Sequence, residues 1–267
     1  MSAPPPTRPR SEIVARLRNA GCVFAEDEAR LLAAAARTPD DLDAMIDRRV
    51  AGLPIEHVLG WAEFCGIRIA VDPGVFVPRR RTEFLVRQAV AVAPPRAIVV
   101  DLCCGSGAVG AALSAALHQA EVHAADIDLA AVACARRNLA ATGGRVYEGD
   151  LDAQLPASLR GRVDVLVANP PYVPTEAVAL LPAEARIHEP RVALDGGADG
   201  LDVQRRVAAA APRWLAPRGH LLVETGEQQA RETVDAFARN GLTARVARSD
   251  EPDATVVIGA LSDPTSA

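Results

Sequence analysis

Lysine is missing from this chain, and all 29 of its basic residues are arginine. Together with the abundance of alanine, this absence reads as mutational bias in the source genome and carries no functional signal. The formal net charge of −5 lacks the basic excess of a protein that tracks a phosphate backbone, which counts against nucleic acid as a partner. Cysteine is scarce. Cys22, Cys65, Cys103, Cys104 and Cys134 are odd in number and show neither CxxC nor CxxH spacing, so neither a disulfide framework nor a metal site is expected. No apolar run is long enough to span a bilayer, and the proline-rich start Met1-Ser2-Ala3-Pro4-Pro5-Pro6 lacks the apolar core of a signal peptide. The expectation is a soluble, cytoplasmic protein with no membrane partner.

What is present has a clear order. A length of 267 residues favours one large α/β domain with a small appendage. Residues 1–10 read as a flexible N-terminus, the only low-complexity tract, and no internal repeat is found. Residues 11–60 read as a helical module: Ser11 is the expected N-cap before Ile13, Val14 and Leu17, and helices follow over Glu26 to Ala36 and Pro39 to Val50. Residues 61–81 read as a hairpin linker, with Ile67, Ile69 and Val71 alternating before the turn Asp72-Pro73-Gly74. From Thr82, the expected N-cap of a helix over Glu83 to Val92, strands alternate with helices to the end of the domain at residue 267. Strands are expected over Ile98 to Asp101, Val122 to Asp126, Val146 to Asp150, Val163 to Ala168 and His220 to Glu224, with two more near Thr243–Arg248 and Thr255–Leu261. The alternation predicts a doubly wound, mostly parallel sheet.

Gly105-Ser106-Gly107-Ala108-Val109-Gly110 matches G-x-G-x-x-G, and Asp126 follows about twenty residues later at the next strand end, which taken alone points to NAD. The turn is longer than a dinucleotide fingerprint, however, because Leu102-Cys103-Cys104 stand between Asp101 and the glycines. A wider turn carrying a carboxylate suits a cofactor with an ammonium and a sulfonium in place of a pyrophosphate, namely S-adenosylmethionine. Asp126 is then placed to accept from the two ribose hydroxyls, and Asp150-Leu151 to meet the adenine amine and face. The expected cofactor residues are Asp101, Cys103, Gly105, Ser106, Gly107, Asp126, Asp150, Leu151 and Asn169. Cys103 and Cys104 read as small fillers of a tight loop and not as a redox pair. Trp61, Tyr147 and Trp214 read as packing residues, and His188 as structural.

Asn169-Pro170-Pro171-Tyr172 closes the run Val163 to Ala168 at the rim of the expected sheet. Two prolines fix φ and remove two N–H donors, leaving an array of acceptors beside an aromatic face, which makes a clamp for a planar –NH2 group. The lone pair of an amide or aromatic amine is delocalised, so methyl transfer to it depends on orientation. The Asn169 side-chain oxygen and the Pro170 carbonyl can accept the two N–H bonds, and Tyr172 can stack on the planar group. Asn169, Pro170 and Tyr172 are the expected catalytic residues. Pro171 and Arg79 join them in holding the substrate.

The segments Gly52 to Gly60, Val77-Pro78-Arg79-Arg80-Arg81-Thr82-Glu83, Asp101 to Gly107, Asn169 to Tyr172, Glu189 to Gly197 with Gly200-Leu201, and Leu222 to Gly226 carry a resemblance over residues 48–261. In them the chain resembles the HemK/PrmC family, the protein-(glutamine-N5) methyltransferases that modify peptide-chain release factors. The resemblance implies a Rossmann-like class I S-adenosylmethionine-dependent methyltransferase with a mostly parallel seven-stranded sheet. It also implies that the N-terminal helical domain recognises the substrate, and that the partner is a protein, with a release factor as the leading candidate. Three departures are visible: Cys103-Cys104 where the family begins its turn with Gly and Ser or Thr, Arg80-Arg81 where a proline and an acid are usual, and a shorter helical module. These place the chain beside a divergent branch with unassigned substrates. Two other readings stand: a nucleic-acid amino-methyltransferase acting on adenine N6 or guanine N2, supported by Arg79-Arg80-Arg81, and a non-catalytic module that binds this cofactor or NAD.

Overall fold

The computed structural model describes residues 9–261. The flexible N-terminus expected over residues 1–10 falls mainly on 1–8, outside the described residues, as do residues 262–267. The first helix, α1 (Arg10–Asn19), starts before the expected cap, with Pro9 as N-cap and Ser11 inside the first turn. Pro9 is already fixed at φ −57°, and its carbonyl accepts from the Glu12 amide at 2.9 Å, so no side-chain cap is used. In α3 (Pro39–Val50) the start is capped as the residue types demand. Thr38 Oγ1 accepts from the Asp41 amide at 3.1 Å and Pro39 sits where an amide would be unused.

Helix α2 (Ala25–Ala35) lies between them. Ile13 and Leu17, Ala25, Ala29 and Leu32, and Leu42, Met45 and Ile46 bury their helical stripes in one small core, joined by Val58 of α4 (Ile55–Leu59). That fourth helix is too short to show a period in the sequence, and Gly60 ends it at φ 79°. Arg49 crosses the module nearly buried: its Nε and Nη2 donate to Glu28 at 2.7 and 3.0 Å, and its Nη1 to the Leu53 carbonyl at 2.8 Å.

Strands β1 (Trp61–Phe64) and β2 (Ile67–Ala70) form an antiparallel hairpin closed by Cys65 and Gly66, both at positive φ, as a two-residue turn requires. The sequence reads this stretch as a linker, but Ala62, Phe64 and Ile69 are continuous with the main core. Asn138 also clips the hairpin down, since its side chain exchanges two 2.9 Å bonds with the Ala70 backbone.

The main sheet contains β3 (Ile98–Leu102), β4 (Glu121–Asp126), β5 (Arg145–Glu148), β6 (Val163–Ala168), β7 (Leu215–Thr225), β8 (Leu242–Ser249) and β9 (Ala254–Leu261). Their order is β5-β4-β3-β6-β7-β9-β8, parallel except for β9, which runs antiparallel to both neighbours. Strand β7 begins five residues before the expected His220, through Ala216-Pro217-Arg218-Gly219, which reads as a turn; the register against β6 shifts there. Side chains alternate between faces. Val99, Val165, Val167 and Leu222 pack under α5 (Glu83–Val92), α6 (Ala108–Ala116) and α7 (Leu129–Leu139), while Val100, Leu166, Leu221 and Val223 pack under α9 (Asp202–Trp214) and α10 (Ala230–Arg239). A short helix, α8 (Ala183–His188), lies in the long connection after β6, and its Glu184 accepts from Arg49 Nη1 at 3.1 Å. Among the described residues no helix is long and apolar enough to cross a membrane.

Arg49→Ala strands the Glu28 carboxylate, and unfolding in denaturant is expected to show a loss of about 3 kcal/mol, with the paired change Arg49→Met and Glu28→Leu costing less. Equal midpoints for wild type and Arg49→Ala would refute the role of this pair.

Candidate active site

The site follows from strand order. The chain winds outward from β3 through β4 to β5, then returns to place β6 on the other side of β3, which opens a crevice beyond the strand ends. Leu102 pairs with Ala168, so the glycine turn and the Asn-Pro-Pro-Tyr segment leave the sheet side by side.

In the turn, Cys103, Gly105 and Gly107 take φ of 55°, 53° and 76°. Asp126 holds the loop: its Oδ2 accepts from the Gly105 amide at 2.8 Å and its Oδ1 from the Asp128 amide at 2.9 Å. The other glycines serve packing. A Cβ at Gly107 would lie 3.0 Å from the Ala135 Cβ, and one at Gly110 would lie 3.3 Å from Asp101 Oδ2. Asp101 is 1% exposed, and its Oδ2 accepts from the Gly110 amide at 2.9 Å.

The clamp is built from both sides. Asn169 Nδ2 donates to Thr82 Oγ1 at 3.2 Å. The sequence reads Thr82 as a helix cap, but the structure gives its side chain no capping bond because a short 3-10 turn over Arg80–Thr82 precedes α5. The Tyr172 hydroxyl accepts from Arg81 Nη2, and the Tyr172 carbonyl accepts from Gln229 Nε2 at 3.0 Å. Behind the clamp the connection returns: the Val173 amide donates to the Leu194 carbonyl at 3.1 Å and the Gly196 amide to the Val173 carbonyl at 2.8 Å. A Cβ at Gly196 would come within 2.6 Å of the Pro171 carbonyl, and one at Gly200 within 2.3 Å of the Tyr172 carbonyl. Only glycine fits either position.

A cavity of about 720 Å³ runs from the glycine turn to the helical module. Cys103, Gly105, Asp126, Asp150, Leu151 and Asn169 line it at one end, and Arg79, Pro170, Pro171 and Tyr172 stand along it. Asp101 and Ser106 line a small adjoining recess that Cys103, Gly105 and Asn169 share. Gly107 lines neither space and lies against Ala135 of α7. Arg79 lies on the cavity wall, but its Nη2 donates to both Glu189 oxygens at 2.6 Å, and Glu189 Oε1 also accepts from the Val77 amide at 3.2 Å. Its charge is therefore spent on holding Glu189.

Two further residues escape sequence reasoning. Arg206 of α9 donates to Asp150 Oδ2 at 2.7 Å, and Glu224, at the end of β7, lies buried behind the clamp with Arg81 Nε at 3.4 Å. For Glu224 the signals were its position at a strand end and its place in the segment Leu222 to Gly226.

Burial dominates the electrostatics. It pushes the Asp101 carboxyl up to about 7, against the Gly110 hydrogen bond, and also raises Asp126. The Cys103 and Cys104 thiols are driven well up, first by burial and then by Asp126 and Asp101, so neither is a thiolate nucleophile. All five cysteines are free. Because Asp101 titrates near 7 folded and near 3.8 in an exposed chain, the native state binds more protons between those values. Stability of the ligand-free protein is expected to fall as pH rises from about 4 to about 7, and Asp101→Asn to flatten that slope. Melting temperatures across the range, wild type minus variant, give the measurement; parallel curves would remove Asp101 as the source.

Comparison with known proteins places this geometry. The Methyltransferase small domain family matches residues 66–198. A release factor glutamine methyltransferase of Geobacter sulfurreducens is 41% identical over 208 residues, which cover 76% of this chain and 72% of that protein. A 4-amino-L-phenylalanine/4-methylamino-L-phenylalanine methyltransferase of Streptomyces pristinaespiralis is 36% identical, with 90% of each chain covered. Among solved structures, a methyltransferase from Pyrococcus furiosus has the same fold, with a TM-score of 0.56 at 16% identity, covering 82% of this chain and 98% of that one.

Proposed function

Since the chain belongs to the family of release factor glutamine methyltransferases, we propose that it transfers a methyl group from S-adenosylmethionine to the side-chain amide nitrogen of a glutamine in a protein, a peptide-chain release factor, in the cytoplasm. The observation that carries this reading is the Asn169–Tyr172 clamp opening into the same cavity as Asp126 at the end of β4 and Asp150 just after β5, with Asp101 of β3 in the adjoining recess that Asn169 also lines.

The residues fit the cofactor. Asp101 is buried and has no cationic partner among the described residues, an arrangement that an incoming ammonium would relieve. Asp126 retains free lone pairs for the ribose hydroxyls beyond the two amides it holds, and Leu151, fixed at φ 54°, presents an apolar face for the adenine beside Asp150. When bound, the cofactor supplies an electrophilic methyl on a sulfonium. The chain's own part is positioning. With its Nδ2 committed to Thr82, the Asn169 Oδ1 is the acceptor for one substrate N–H, and the Pro170 carbonyl takes the other. This holds the nitrogen lone pair in line with the methyl and stabilises the positive charge that grows on nitrogen. Tyr172 and the two prolines cover the planar group and exclude water.

The Streptomyces relative, which spans nearly the whole chain, favours one other acceptor: a free arylamine amino acid, whose –NH2 is also planar and conjugated. A single assay separates the candidates. Purified release factor, the same protein with its glutamine replaced, 4-amino-L-phenylalanine, and structured RNA and DNA are each incubated with labelled cofactor. Label on wild-type release factor but not on its glutamine variant is expected. Label on the amino acid alone transfers the chemistry to an arylamine, and label on nucleic acid alone overturns the protein substrate. With the accepted substrate, Asn169→Ala is expected to keep cofactor affinity and lose at least about two decades of kcat. Lost cofactor affinity with intact single-turnover transfer would make Asn169 a cofactor ligand instead.

A further inference from the structure

Glu224 is 2% exposed, and among the described residues neither carboxylate oxygen has a hydrogen-bond partner at ordinary geometry. Arg81 Nε faces it at 3.4 Å, and the Thr82 hydroxyl lies beside it. Burying a carboxylate with so little compensation is costly, and nothing in the packing of β7 requires a charge there. The cost is explained by what stands in front of it.

A hydroxyl has one proton to give. At Thr82 the oxygen accepts from Asn169 Nδ2, so its proton is free to turn toward the Glu224 carboxylate beside it. Without a negative acceptor behind it, the Thr82 hydroxyl can turn and donate to Asn169, and the amide then relaxes by exchanging its oxygen and nitrogen. The face toward the cavity would become a donor. A donor there repels the N–H bonds of the acceptor nitrogen and abolishes the clamp. Arg81 links the same carboxylate to the other half of the clamp, because its Nη2 donates to the Tyr172 hydroxyl.

We propose that Glu224 is the positioning residue of the clamp: through Thr82 it fixes the Asn169 amide with its oxygen toward the substrate, and through Arg81 it seats Tyr172. The assignment rests on the glutamine-methylation reading, but one of its tests does not need a substrate. The chain has four asparagines, Asn19, Asn138, Asn169 and Asn240, so asparagine-selective 15N labelling yields four side-chain amide signals, and the one missing from Asn169→Ala identifies Asn169. In the wild type its –NH2 protons are expected to be protected from exchange. In Glu224→Met, which removes the acceptor, that protection is lost, whereas Glu224→Gln, which keeps a carbonyl acceptor, recovers part of it.

The kinetic arm uses the accepted substrate. Glu224→Met is expected to melt no lower than wild type, because a buried carboxylate with little compensation is gone, and yet to lose roughly tenfold or more in kcat with cofactor affinity within about twofold. A residue that serves stability alone cannot give that combination. Thr82→Val should lose as much, and the double variant no more than the worse single, since both act on one amide. An Asn169 amide unchanged in Glu224→Met, or losses that add in the double variant, would overturn the proposal. Absence of methyl transfer by wild type to any acceptor would overturn the functional reading instead, with the amide measurement still deciding the orientation.

Discussion

The pairing of β3 with β6 is the contact on which the site depends. Each strand arrives from a different direction of winding, and their parallel register, Leu102 beside Ala168, sets the glycine turn and the Asn169–Tyr172 segment a strand's width apart. Strand β4 adds Asp126 on the far side of the glycine turn, where its carboxylate ties down the Gly105 amide. The acid expected to meet a sugar is thus also the acid that shapes the loop, which joins cofactor binding to loop geometry through one side chain.

A second tie closes the cavity from above. Arg79 and Glu189 stand 110 residues apart and meet as a short, two-pronged ion pair, with the Val77 amide as a third contact. Pro78-Arg79 and Glu189-Pro190 are therefore two ends of one clasp that draws the connection after the clamp back over the cavity. The return strip then presses glycine against the clamp backbone at Gly196 and Gly200, where no Cβ fits. Arg49 extends the closure to the helical module through Glu184. Hydrogen-bonded ion pairs of this kind, each with one buried or nearly buried partner, tie segments that are distant in the chain.

Much of this was legible in the sequence, and the reason differs by residue. The strands over Val122 to Asp126 and Val163 to Ala168 show their hydrophobic runs plainly, so Asp126 and Asn169 could be placed at strand ends. The seven-stranded, mostly parallel sheet follows from the βα alternation and is what the structure shows. Thr82 and Glu224 stand in segments that carry the resemblance, but their contacts, like that of Arg206, join distant segments that local pattern does not connect, and local pattern makes Thr82 a cap. For Arg79 the sequence offers a substrate contact but not its bonds to Glu189, which lies 110 residues further along the chain. The start of β7 was hidden by a proline and a glycine that locally announce a turn, and α4 by its brevity.

The glycines of the first turn have a consequence for how such proteins change over generations. Gly110 is fixed by the nearness of Asp101 and Val122, and Gly107 by the nearness of Ala135; neither restriction involves a ligand. A descendant that ceased to methylate anything would still be obliged to keep both, for the sake of the helix lying against the strand. Asn169 shows no comparable close approach, and among the described residues its side-chain hydrogen bond goes to the Thr82 hydroxyl. Decay of function in this lineage would then be written first at residue 169, while the glycine signature that attracts attention persisted as a record of packing alone.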